Sequence, residues 1–297
     1  MRPAAIREAA ALAALSMDFD SGEVYYEKNA DQALPAASMT KVMAGYLVFD
    51  EIAHGTLGLD SCVTVSEYAA GISSNTEYSG YERLKAGSRY QVDTLLRLVF
   101  TASCNGSMIV LAENIAESEG AFVERMNAKA LAMGIDAHYA DCCGIIDRGN
   151  ASSPRAMALL ARRTIRDHPI ILRYTSLLSF DFQGEPFDST NLLLRNGSVF
   201  GMDGLKTGTT DGAGYCFTGT AIRNGRRIIA VVMNAESYET CMNECKRLLE
   251  YGFACQRARE SLEDVKKNGD TRIIPYLCSE RHSEKGCGLP GARRKAP

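Results

Sequence analysis

Leu34-Pro35-Ala36-Ala37-Ser38-Met39-Thr40-Lys41 opens an apolar run in which Met39, Val42, Met43, Tyr46, Leu47 and Phe49 recur at helical spacing. The run reaches Ile52, and His54-Gly55 ends it. The pattern predicts a buried helix with Ser38 in its first turn. Lys41 is the lone charge between Asp31 and Asp50. A lysine one turn into an apolar helix is expensive unless its stem snorkels or its amine has a task. Residues i and i+3 share a helix face, so the Lys41 amine can reach the Ser38 hydroxyl. A serine hydroxyl is a poor nucleophile without a base, and a lysine with a lowered pKa can be that base. A plain helix cap is the structural alternative for Ser38.

Outward from this segment the periodicity changes twice. Before it, an Ala/Leu-rich run over 9–19, the turn Asp20-Ser21-Gly22 and a β-type run over 23–28 read as a hairpin. After it, helical patterns cover 92–101, 105–117, 120–133 and 153–167, the last with Pro154 at its first position. Residues 71–90 are polar and Gly/Ser/Tyr-rich, and read as an exposed loop. Beyond Asp203-Gly204 the chain reads as extended. Two β runs, 214–223 and 226–235, flank Asn224-Gly225, the strongest short hairpin signal, and an amphipathic helix follows over 237–251. Strands, then helices, then strands and a helix give an α+β fold, with an antiparallel sheet formed by both chain ends and a helical lobe against it.

Composition narrows the function classes. The 297 residues carry 33 Lys+Arg and 36 Asp+Glu, with 46% hydrophobic residues and no Trp. Residues 256–297 hold ten basic and six acidic side chains, which leaves 23 against 30 for residues 1–255. Nothing here resembles a nucleic-acid surface, because no basic patch is interleaved with aromatics. No stretch of 18 apolar residues occurs, so no transmembrane helix is expected. Arg7 and Glu8 break the apolar start, so no signal peptide is read. Ten cysteines and four histidines form no CxxC, no HExxH and no zinc spacing, and read as buried thiols. No metal and no cofactor is expected.

Three short motifs occur in a fixed order. Ser38-Met39-Thr40-Lys41 is the only Ser-x-x-Lys, and Lys206-Thr207-Gly208 the only Lys-Thr-Gly. Ser-x-Asn occurs at Ser73, Ser103 and Ser189. Ser103-Cys104-Asn105 is the best placed of these, because it joins two apolar helices. A strand carrying Lys206-Thr207-Gly208 would offer backbone pairing and an ammonium to an extended peptide, and Gly208 would let the backbones approach closely.

Together the motifs resemble those of the penicillin-recognising serine hydrolases. Residues 26–31 with 34–41, and residues 203–209 with Ala213-Gly214-Tyr215-Cys216, resemble the low-molecular-mass D-alanyl-D-alanine carboxypeptidases, over about residues 10–255. The resemblance implies a β-lactamase/transpeptidase-like fold and a D-Ala-D-Ala carboxypeptidase. It would trim peptidoglycan pentapeptides through an acyl-enzyme, and β-lactams would acylate it. By that resemblance Ser38 is the nucleophile, Lys41 its base, and Ser103 passes a proton towards the leaving amine. Asn105 would hold the substrate amide, Lys206 would supply positive potential, and Thr207 would bind the terminal carboxylate. The backbone N–H groups of Ser38 and Thr209 would form the oxyanion hole, beside Gly208.

The chain departs from the family at Thr209, where His is frequent, and near Asn191, where some relatives carry Arg. The family also continues into a β-rich second domain and a C-terminal amphipathic membrane helix. Here residues 256–297 read as a basic tail in that place, a remnant with no anchor recognised, after a catalytic domain over 1–255. The family is exported, so an extracytoplasmic, cell-envelope location is expected. Two other readings share the fold. A class A β-lactamase would need a glutamate between the second and third motifs, and residues 140–183 contain none. A catalytically silent envelope-binding protein would need no intact motifs.

Overall fold

Asn224 and Gly225 have φ of 51° and 75°, the left-handed pair that a two-residue hairpin turn requires. They join two ten-residue strands at the centre of the architecture. The computed structural model describes residues 6–78 and 80–267. Residues Ala5–Phe253 form one compact unit, and the chain from Ala254 belongs to another.

In chain order the elements are β1 (Ala13–Asp18), β2 (Val24–Lys28), α1 (Lys41–His54), β3 (Cys62–Thr64), α2 (Glu67–Ser73) and β4 (Arg89–Gln91). Then come α3 (Val92–Ala102), α4 (Asn105–Ala116), α5 (Glu119–Met133), α6 (Pro154–Asp167), α7 (Ile171–Thr175), β5 (Ser179–Phe182), β6 (Glu185–Asp188) and α8 (Leu192–Arg195). The chain closes with β7 (Met202–Thr210), β8 (Gly214–Arg223), β9 (Arg226–Ala235) and α9 (Tyr238–Lys267). Five strands pair antiparallel in the order β2-β1-β9-β8-β7, so both chain ends build the sheet and β7 is an edge.

Every residue of β1 is buried. The strand alternates between two apolar cores, as a period of two demands. Ala13, Leu15 and Met17 join Ile229, Val231 and Met233 under α1, α3, α4 and α6. Ala14 joins Ile228, Ala230, Val232, Phe217 and the Cys241, Cys245, Leu248 and Leu249 face of α9. The sheet is therefore covered on both faces, with the helical lobe on one.

Local caps fix the lobe. Ser153 Oγ accepts from Ala156 N–H with Pro154 in the first turn of α6, and Ser118 and Ser66 cap α5 and α2 in the same way. Gly55, at φ 77°, ends α1.

Two expectations change. The segment 71–90 is not simply an exposed loop, since its first residues finish α2 and both Glu82 and Leu84 are buried. Ser73 Oγ accepts from Leu84 N–H at 2.8 Å, and Glu82 accepts from the Ser107 hydroxyl at 2.9 Å. Polar composition hid this, because a polar chain that satisfies a helix end is buried without loss. The last helix also runs on past 251 to Lys267. Residues 253–267 contain no Gly or Pro and many strong helix formers, so nothing in them stops a helix. The part of the basic tail beyond Lys267 lies outside the described residues. Among the described residues, no helix is long and apolar enough to cross a membrane.

Candidate active site

A tight helical turn over Ala37–Thr40 delivers Ser38 to the start of α1. Ala37 has φ 47°, a left-handed conformation that an L-residue with a Cβ adopts at an energetic cost. The buried Lys41 lies at the first position of α1, one turn on. Its Nζ donates to Ser38 Oγ at 2.8 Å, to Asn105 Oδ1 at 2.7 Å and to the Cys143 carbonyl at 2.9 Å. Three acceptors satisfy the three N–H bonds of an ammonium. Of these, only the Ser38 hydroxyl can also donate. A neutral amine could keep its two bonds to Asn105 and Cys143 and take the Ser38 proton on its lone pair. The arrangement thus serves both protonation states without moving a heavy atom.

Ser103 ends α3 in the left-handed region, φ 67°, and Asn105 begins α4. This sharp corner puts both side chains at the joint of two buried helices. Ser103 Oγ is buried and has no hydrogen-bond partner in the protein. A buried hydroxyl left unpaired in a cleft wall is poised for a partner that comes and goes. Asn105 is buried, and its Oδ1 is occupied by Lys41.

Edge strand β7 forms the opposite wall. A Cβ placed on Gly208 would stand 2.9 Å from the Ala36 carbonyl and 3.0 Å from Ser38 N, so glycine lets the strand lie against the turn of Ser38. Lys206 is fully buried and donates to the Thr207 carbonyl at 3.0 Å. Burial, and then the charge of Lys41, push the Lys206 amine well below the ordinary lysine range. Thr207 Oγ1 donates to Thr190 Oγ1 at 2.7 Å.

Between the walls is a cleft of about 270 Å³ lined by Ser38, Ser103, Thr190, Thr207, Gly208, Thr209 and Tyr238. Lys41, Asn105 and Lys206 are buried and do not line it. The eight site residues read from sequence therefore converge, five on the cleft and three in the surrounding wall. Sequence reasoning missed Thr190, Tyr238 and the Cys143 carbonyl. Thr190 belongs to the third Ser-x-Asn match, which was a retrievable signal. A backbone carbonyl has no sequence signature.

The arrangement pairs a serine with a buried amine, a second hydroxyl and a strand edge. Comparison with known proteins finds the same family. The family model described as D-alanyl-D-alanine carboxypeptidase matches residues 2–237.

The chain belongs to the D-alanyl-D-alanine carboxypeptidase family of serine peptidases.

It is 29% identical over 287 residues to D-alanyl-D-alanine carboxypeptidase DacF of Bacillus subtilis, covering 91% of this chain and 71% of that one. It is 34% identical over 239 residues to D-alanyl-D-alanine carboxypeptidase DacC of Escherichia coli, covering 80% of this chain and 60% of that one. The chain thus spans less than two thirds of the latter's length. Penicillin-binding protein D2 of Listeria monocytogenes, in its ampicillin-bound form, superposes with a TM-score of 0.72 at 31% identity, covering 84% of this chain and 100% of that one. The fold of this family is the β-lactamase/transpeptidase-like α+β fold read from the sequence.

Proposed function

We propose that this chain is an active D-Ala-D-Ala carboxypeptidase that removes the terminal D-alanine of peptidoglycan stem peptides through an ester on Ser38. The single observation that carries this reading is Lys41 Nζ, 2.8 Å from Ser38 Oγ and held by two further acceptors. Lys41, as the neutral amine, takes the Ser38 proton while Oγ attacks the carbonyl between the two D-alanines. The backbone N–H groups of Ser38 and Thr209 receive the developing oxyanion. Ser103 relays the proton to the departing amine, and D-alanine leaves with its carboxylate. Water then hydrolyses the Ser38 ester, returning the hydroxyl.

Lys206 and Thr207 would bind the terminal carboxylate, and the free edge of β7 would pair with the peptide backbone. Asn105 would hold Lys41 in line and contribute to the substrate amide. β-Lactams, which carry an acyl group and a carboxylate in a related geometry, would acylate Ser38, and the ampicillin-bound relative supports this. A substrate in the wall supports a cell-envelope location. Among the described residues no carboxylate lines the cleft, which disfavours the rapid deacylation of a class A β-lactamase.

The test is mass spectrometry of the penicillin-treated protein, with D-alanine release from a pentapeptide measured beside it. The expected result is one stable adduct on Ser38, absent in Ser38→Ala, and stoichiometric D-alanine. A folded protein that takes no label and releases no D-alanine overturns the reading.

A further inference from the structure

Two cysteines adjacent in sequence are seldom adjacent in chemistry, but Cys142 and Cys143 are. Both are free, both are wholly buried, and their Sγ atoms stand 3.6 Å apart. Two sulfurs on one tetrahedral ion, each bonded at about 2.3 Å, are separated by about 3.8 Å. Glu119, at the start of α5, brings a carboxylate to the same place. The three donor atoms all lie within 4.8 Å of one another. We propose that Cys142, Cys143 and Glu119 form a binding site for a thiophilic divalent cation of the zinc type.

The loop is held ready for such an ion. Asp141 gathers the N–H groups of Cys143 at 2.7 Å, Ile145 at 3.2 Å and Ile146 at 2.9 Å, as well as that of Gly144 and the Asn150 amide. A Cβ on Gly144 would fall 1.9 Å from the Ala37 carbonyl, so the loop is wedged against the turn that carries Ser38. On the other side, Glu119 accepts from Cys142 N–H at 3.1 Å with one oxygen and from the Tyr68 hydroxyl at 3.0 Å with the other. A carboxylate has about four acceptor positions, so these two bonds fix its orientation and leave capacity for an ion. Tyr68 is exposed and Glu119 half-buried, so the site meets solvent on its carboxylate side.

The chemistry of the donors selects the cation. Thiolate ligands favour zinc and its heavier congener cadmium over magnesium or calcium. Cysteine binds such an ion as the thiolate. Two thiolates and one carboxylate leave a formal charge of −1 on the complex. The Cys143 carbonyl accepts from Lys41 Nζ at 2.9 Å, which ties the loop to the serine–lysine pair.

The test is a cadmium(II) titration of the reduced full chain, followed by the sulfur-to-metal charge-transfer absorption. The chain should bind one equivalent more than the Cys142→Ser/Cys143→Ser double variant, which keeps the other eight cysteines, and zinc(II) should displace it. Glu119→Gln should keep the absorption band and weaken the affinity about tenfold or more. Equal stoichiometry and an equal band in the double variant would overturn the site. Unchanged affinity in Glu119→Gln would also overturn it, and that arm decides the matter if the double variant does not fold.

Discussion

Lys41 Nζ lies 2.8 Å from Ser38 Oγ, one helical turn away, on a fully buried side chain. The pair is joined to Asn105 Oδ1, so base and nucleophile are aligned before any substrate arrives. A guanidinium cannot take a proton at neutral pH. Lys41→Arg should therefore slow penicillin acylation by roughly 10² to 10⁴-fold, the contribution of a positioned base. Stopped-flow labelling checks this, and a variant that acylates at the parent rate removes Lys41 from the proton path.

Asn105→Ala removes one of three acceptors from a buried ammonium. The expected loss of stability is about 1–3 kcal/mol, the penalty for an unpaired buried polar group. Urea denaturation should show a lower midpoint at unchanged slope, together with slower acylation.

Gly208→Ala would put a Cβ about 3 Å from three atoms of the turn before and at Ser38, against backbone that cannot yield cheaply. Strand β7 should move away from Ser38. Acylation should slow by at least tenfold, while the melting temperature changes little, because β7 remains paired with β8 along its other side.

Glu82 supplies a pH signature of stability. Its carboxyl is buried, and burial pushes its pKa up from 4.5 to about 7. The folded state therefore holds a proton that the unfolded state releases between those values. Stability falls as pH rises through that window, in total by about 3 kcal/mol. Glu82→Gln keeps an oxygen for Ser107 and has no proton to lose. Its denaturation midpoint should not show the decline that the parent shows between pH 4.5 and about 7.

Lys206 predicts a second pH effect, on binding. Its amine is pushed below the ordinary lysine range by burial and by Lys41, so it loses its proton at lower pH than a free lysine. The ammonium is the form that attracts a carboxylate. KM for a D-Ala-D-Ala peptide should rise with pH through that transition, and Lys206→Gln should have a higher KM without the slope.

The sequence carried most of this site, for specific reasons. Ser38 and Lys41 are local partners, linked by helix geometry alone. The hairpin at Asn224-Gly225 fixed the pairing of β8 with β9, since few other residues tolerate its two positive φ angles. Ser103 and Asn105 were found because their motif joins two apolar helices. The contacts that escaped were long-range. Thr190 meets Thr207 only after β7 has found the sheet edge. Glu119 meets the adjacent cysteines from a separate helix, and neither segment alone shows metal spacing. Glu82 looked solvated because its partner, the start of α4, is 25 positions away.

The outermost strand of the sheet has one further consequence. Unpaired backbone that can receive a peptide can as readily receive the sheet of another molecule, and long bare edges nucleate aggregation. This protein keeps the receptive stretch short. At one end Thr175 Oγ1 and Asn191 Nδ2 occupy the carbonyls of Asp203 and Gly204, where the register of β7 also shifts. At the other end Asp147 binds Thr210 Oγ1 and Gly212 N–H. What remains open is little more than the Lys206–Thr209 span. Against the short span that is left, a long foreign strand finds few backbone groups to pair with.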